Sequence, residues 1–151
     1  MTRVLSDSDR PWLPIDSSGE NFMKIVSVDE SRNQVVLIVK FAPNSIYPKH
    51  LHHAGAVAYT IEGEWEYEEG VLDKGAWAIE PPGTDHTPLI SDQGATILAV
   101  LTSENDVFVE VFLDDGTTIV QDIEYFKRLY AMTPEDAARE VQIPMTKRET
   151  V

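Results

Sequence analysis

The chain has no cysteine. That excludes a disulfide framework, a thiolate-bound metal and a cysteine nucleophile. Basic residues are scarce: 12 Lys and Arg stand against 26 Asp and Glu, a formal net charge of −14. Such a surface repels phosphate backbones and anionic headgroups, so neither nucleic acid nor a membrane is expected as a partner. No stretch approaches the roughly 20 apolar residues that a membrane span requires. Residues 1–7 also lack an apolar run, so no secretory signal is expected and the expected compartment is cytoplasmic. Histidine is sparse too, with four among 151 residues, yet three of the four fall within four consecutive positions.

What is present reads as one soluble domain. Hydrophobic content of 42% and charged content of 25% are ordinary for a globular protein. A chain of this size can bury roughly 70% of its unfolded surface. Residues 1–10 are polar and expected to be frayed or draped. Residues 11–121 are expected to form the main domain. Within them, 11–15 is an extended apolar segment suited to packing across a sheet edge or a partner subunit. The stretches 22–28 and 34–41 read as strands, the second rich in β-branched residues. Residues 56–69 read as a hairpin turning at Glu62-Gly63. Further strands are expected at 76–80, 95–101 and 107–113, the last closed by Asp114-Asp115-Gly116. Many short strands between Gly, Pro and Asp turns predict an all-β fold, a double-sheet jelly roll or barrel. Residues 122–151 change character. Ile123, Phe126, Leu129 and Tyr130 recur at helical spacing, so 122–131 is predicted helical. Thr133-Pro134-Glu135-Asp136 starts a second helix running to about Val141. The last ten residues are expected to be a loose tail or a partner-binding arm.

The chemistry concentrates between His50 and His86. On a strand, residues two apart share a face, so His50 and His52 point one way and His53 the other. Two imidazoles on one face can bind one metal, but a bare His-x-His is also a common surface pair. His86 lies 34 residues past His52, and the Pro81-Pro82-Gly83 turn before it can bring it back. If Glu62-Gly63 is a tight turn, Ala56 faces Glu69 across the two strands. Alternation then puts Trp65, Tyr67 and Glu69 on one face. Glu69 would reach a metal from there, or else belong to a solvated acidic loop with Glu68 and Gly70. Trp65, Tyr67, Tyr59 and Trp77 are expected mainly in the core, with one or two lining a pocket.

These residues resemble the cupin family. The second cupin motif, Gly, five residues, Pro-x-Gly, two residues, His, is met by Gly75, Pro81, Gly83 and His86. The first motif is met by His50, His52 and Gly63, but Ala56 stands where glutamate is usual. The wider pattern includes Gly55, Val57, Tyr59, Thr60, Trp65, Tyr67, Glu80 and Thr87. It is similar to three-histidine cupins, the 2,4'-dihydroxyacetophenone dioxygenases and, more distantly, the acetylacetone dioxygenases. The resemblance implies a single cupin barrel with short C-terminal helices and one divalent transition metal per chain on His50, His52 and His86. Fe(II) is expected, with Zn(II), Ni(II) or Cu(II) also suited to such imidazoles. It implies cleavage of a carbon–carbon bond in a β-diketone or aryl α-hydroxyketone with dioxygen. It implies a homo-dimer or homo-tetramer. Glu80 matches an outer glutamate near the metal; read from the residues alone, it is equally a turn-capping carboxylate beside Pro81. Two other readings stay open. Three-histidine cupins also resemble the metal-binding half of certain anti-sigma factors, which is a sensor or accessory module without turnover. The same scaffold could also serve a non-oxidative isomerase or hydrolase.

Overall fold

Strand β1 (Leu13–Pro14) pairs with the start of β2 (Phe22–Asp29), so the apolar 11–15 segment does close a sheet edge. β2 and β3 (Gln34–Phe41) form a hairpin whose turn uses Asn33 at φ 46°, a left-handed position that asparagine tolerates. In β3, Val35, Leu37, Val39 and Phe41 alternate inward, as the period of two requires. β4 (Ser45–Ile46) and β5 (His50–His52) follow. Next come β6 (Gly55–Tyr67), β7 (Gly70–Leu72), β8 (Trp77–Glu80), β9 (Asp85–His86) and β10 (Leu89–Thr102). The chain continues through β11 (Val107–Phe112), β12 (Thr118–Asp122), helices α1 (Ile123–Ala131) and α2 (Pro134–Glu140), and β13 (Thr146–Lys147). This computed structural model describes residues 1–149.

Two sheets face each other. The larger runs β1-β2-β3-β10-β4-β13, with β6 also on β10 and carrying β7 and β8 on its other edge. The smaller runs β12-β11-β5-β9. Antiparallel sheets curled around one core make the all-β barrel that the sequence predicts. Val35, Ile97 and Leu101 from the large sheet share one hydrophobic core with Phe108, Val109 and Val111 from the small one. No helix is long and apolar enough to cross a membrane among the described residues.

Three expectations need correction. Glu62-Gly63 is not a hairpin turn. β6 runs on for 13 residues, paired with β10 on both sides of Gly63. Gly63 is required there for another reason. It sits at φ 79°, and a Cβ on it would collide with the Gly94 carbonyl oxygen. One extra residue, Ile61, bulges from β6 between the Thr60 and Glu62 pairs. A bulge of one residue reverses which side chains face inward. Ala56, Ala58 and Thr60 are buried before it, and Trp65 is buried after it.

The second correction concerns the tail. Residues 142–149 are tied down: Ile143 is buried, β13 pairs with β4, and Arg148 donates to the Ile90 carbonyl at 2.7 Å. Positions 150–151 lie outside the described residues. The third is Trp77, which is 61% exposed and leans on Tyr59 outside the barrel. The two helices form where predicted. Asp122 accepts from the Tyr125 backbone N–H at 2.8 Å, and Thr133 and Asp136 close a capping box. Ile123, Phe126 and Leu129 bury one face of α1, with Phe126 edge-on to Phe108.

Candidate metal centre

β5 is short and lies between two neighbours. Val109 and Val111 of β11 oppose His52 and His50 on one side, and His86 of β9 directly opposes His50 on the other. Paired residues of adjacent strands share a face. His50, His52 and His86 therefore all project into the barrel, each no more than 6% exposed. The turn between β8 and β9 is bolted to the same strand. His52 N–H donates to the Thr84 carbonyl at 2.8 Å, and Gly83 N–H donates to the His52 carbonyl at 2.7 Å. Gly83 reaches this from φ 90°, which explains the glycine before His86. His53 faces outward, as alternation requires, and its Nε2 lies 2.7 Å from Glu110 Oε1.

The carboxylate comes from an unexpected neighbour. The partner of Ala56 across the strands is Glu80 of β8, not Glu69. Glu80 is buried, and its Oε2 lies 3.3 Å from His52 Nε2 while its Oε1 lies 3.9 Å from His86 Nε2. The Tyr67 hydroxyl donates to Glu80 Oε1. The Tyr67 ring stacks on His86 with centroids 4.0 Å apart and meets Trp65 edge-on. Glu69 is exposed on the turn after β6, past the paired region, where the alternation argument no longer applies. Its carboxylate lies with those of Glu68 and a ring nitrogen of His86 in a second cluster, all mutually within 4.8 Å.

Protonation favours ligation. His50 Nδ1 lies 3.0 Å from the Pro48 carbonyl, which can only accept, so that nitrogen carries the proton and Nε2 presents a lone pair. Burial pushes the His50 pKa down to about 4 and that of His52 to about 3, the neighbouring imidazoles adding to the effect. Both rings are thus neutral, the form that binds metals. Burial raises the Glu80 pKa, and the Tyr67 hydrogen bond opposes that rise. Among the described residues, His52 Nδ1 and both nitrogens of His86 have no hydrogen-bond partner. Atoms bound at about 2.0–2.2 Å to one ion lie roughly 3.0–3.4 Å apart. His50 Nε2 and His52 Nε2 are 3.1 Å apart, and the closer Glu80 oxygen fits the same spacing. His52, Glu80 and His86 offer donor atoms mutually within 4.8 Å, a set that fits a divalent transition metal, and His50 stands outside that group but adds a nitrogen beside His52.

An apolar cavity of about 110 Å³ extends from the histidines between the sheets. Leu37, Val39, Ile97 and Leu101 line one side, and Val109 and Phe126 the other. Two polar side chains that the sequence reading missed also line it. Tyr47 stands edge-on to His50 at 5.1 Å, and Gln121 is buried on β12. The alternation of β12 was not visible behind the Asp-Asp-Gly turn. Trp65 and Tyr67 line the cavity as expected, whereas Tyr59 and Trp77 do not. On the outer side, a groove of about 400 Å³ reaches His86 and Glu80 past Glu69, Trp77 and Ile79.

Comparison with known proteins agrees with this architecture. Residues 2–104 match the family described as the ChrR cupin-like domain. No curated protein matches the chain. Among solved structures it is similar to an RmlC-like cupin from Ralstonia eutropha, at 23% identity and TM-score 0.74, over 86% of this chain and 85% of that one. It is also similar to an acetylacetone dioxygenase from Acinetobacter johnsonii, at 12% identity and TM-score 0.67, over 94% and 93% of the two chains. A third similar structure is Rhodobacter sphaeroides SigE in complex with the anti-sigma ChrR, at 17% identity and TM-score 0.55, over 64% of this chain and 51% of that one. At these identities the solved structures speak for the fold. The matched stretch takes in both histidine motifs and the strands that aim them, and on it the chain belongs to the ChrR-like cupin family.

Proposed function

We propose that the protein is a metal-dependent cupin dioxygenase that cleaves a carbon–carbon bond of a ketone substrate. One observation carries the reading: three buried histidines project to one side of the barrel, where His52, Glu80 and His86 offer donor atoms mutually within 4.8 Å and His50, His52 and Glu80 line the start of an apolar cavity. His50, His52 and His86 would hold the ion, with Glu80 beside them as ligand or proton acceptor. A divalent transition metal, Fe(II) before Zn(II) or Ni(II), supplies Lewis acidity and, as iron, reactivity towards dioxygen. The chain's own residues do the rest. The aliphatic walls exclude water from an enolate. Tyr67 donates to Glu80 Oε1, and Oε2 lies on the other side, 3.3 Å from His52 Nε2. That oxygen is placed to take the α-proton of a diketone as the enolate forms. A cavity of about 110 Å³ suits a molecule of few heavy atoms, since about 150 Å³ holds benzene. This favours a small β-diketone over an aryl α-hydroxyketone. Val57, Trp77 and Ile79, exposed on the outer face of β6 and β8, support a homo-dimer or homo-tetramer.

The test is oxygen uptake by Fe(II)-loaded protein with a panel of β-diketones and aryl hydroxyketones. Uptake tied to one ketone class, with equimolar cleavage products, is the expected result. Stoichiometric metal with no uptake would sink the dioxygenase. It would favour a metal-binding sensor module, the reading that similarity to the ChrR complex supports.

A further inference from the structure

The buried histidines pose a question of access. Each is at most 6% exposed, yet an ion must reach them from water and shed its hydration shell on the way. The turn joining β6 to β7 bears on this. It places Glu68 and Glu69 side by side, both exposed. Neither makes a hydrogen bond or an ion pair among the described residues, whereas Asp7, Glu62, Asp85 and Glu110 are all paired with cations or histidine. Their carboxylates and a ring nitrogen of His86 lie mutually within 4.8 Å. His86 is 4% exposed, and neither of its ring nitrogens has a hydrogen-bond partner among the described residues. The same histidine belongs to the inner cluster with His52 and Glu80. Glu69 and His86 also line one groove, which leads from solvent to Glu80.

We propose that Glu68, Glu69 and His86 form an entry site for the divalent cation, from which it passes to the buried histidines. This rests on the metal centre proposed above. Carboxylates are hard ligands that take up a partly hydrated ion readily, and imidazoles hold a transition metal more selectively. Because His86 is shared, the ion can exchange Glu68 and Glu69 for Glu80, His50 and His52 while one ligand stays in place. The first capture is at the surface, where two adjacent negative charges raise the local cation concentration.

Co(II) uptake by apoprotein, followed by stopped-flow absorption, tests this without any turnover. In the E68Q/E69Q variant the association rate should fall by at least about tenfold. The equilibrium affinity should change by less than about threefold, because release slows with entry. The E104Q/E140Q variant removes the same charge elsewhere and should load at the wild-type rate. Equal slowing in both variants would reduce the effect to bulk charge and overturn the proposal. So would an unchanged rate in E68Q/E69Q. Lost affinity at an unchanged entry rate would make these glutamates ligands of the resting ion, which also overturns it. With the inner set broken in H50A/H52A, one weakly held Co(II) should remain, and adding E68Q/E69Q should abolish it. No residual Co(II) in H50A/H52A would again overturn the entry site. Wild-type protein that takes up no Co(II) would sink the metal centre itself, whereas normal uptake with unchanged rates would sink only the entry site.

Discussion

The two walls of the metal centre are built differently. The β5–β9 wall carries three nitrogen donors at motif positions, with His50 and His86 directly opposed. The β6–β8 wall has alanine at the position where cupins usually carry glutamate, and a glutamate one strand over, on the partner of that alanine. On the first wall, place in the motif and place in space coincide. On the second they do not. A carboxylate needs only to reach the ion, and two paired strands offer two backbones from which to do so.

The largest expected effect breaks the first wall. His86→Ala should lower metal content from about one ion per chain to under about a tenth, measured by elemental analysis. The second wall can be tested by moving its carboxylate. Glu80→Ala should weaken metal binding or activity by about 10–100-fold. The Ala56→Glu/Glu80→Ala variant puts the group back at the motif position and should recover most of that loss. Failure to recover would mean that Glu80 is held by Tyr67 in a way that β6 cannot reproduce.

Acidity probes the nitrogen wall from another side. His50 and His52 titrate near 4 and 3 in the folded apoprotein, against 6.5 for an ordinary histidine. Below pH 6.5 the unfolded chain therefore binds protons that the folded chain refuses. Apoprotein stability should fall as pH drops from about 6.5 towards 3, by up to about 1.4 kcal/mol per unit for each histidine. Glu80, raised by burial, opposes part of this slope. Urea midpoints against pH, in chelator, measure it, and His52→Ala should flatten the curve. The smallest effect belongs to the outward histidine. His53→Gln breaks a half-exposed pair with Glu110 and should cost less than about 1 kcal/mol, with metal content unchanged.

The contrast between the walls also explains what could be read in advance. The barrel and the histidines were legible because the motif spacings are tied to strand geometry: His50 and His52 by alternation, His86 by the Pro-Pro-Gly turn. The helices were legible because Asp122 and Thr133 cap them locally. Glu62-Gly63 misled because a glycine at positive φ serves a turn or a close strand approach equally well, and only Gly94 across the sheet decides which. That error moved the expected partner of Ala56 from Glu80 to Glu69. Trp77 misled because an aromatic on a short strand has no periodicity long enough to show its face. The tail misled because Ile143 and Arg148 gain their partners only from distant chain, the Ile15 carbonyl and the Ile90 carbonyl.

The bulge at Ile61 acts as a phase shifter on an otherwise periodic strand. With Ile61 bulged out, Trp65 and Tyr67 face inward and Tyr67 stacks on His86; with Ile61 paired in register, Glu64 and Glu66 would face inward instead. Deleting Ile61 would keep that face, whereas deleting Glu64, beyond the bulge, would turn Glu66 and Glu68 inward and exchange an aromatic chamber for an acidic one. In a strand of this length, residue count is a chemical variable, and evolution can alter the contents of the pocket by changing the length of the chain instead of its letters.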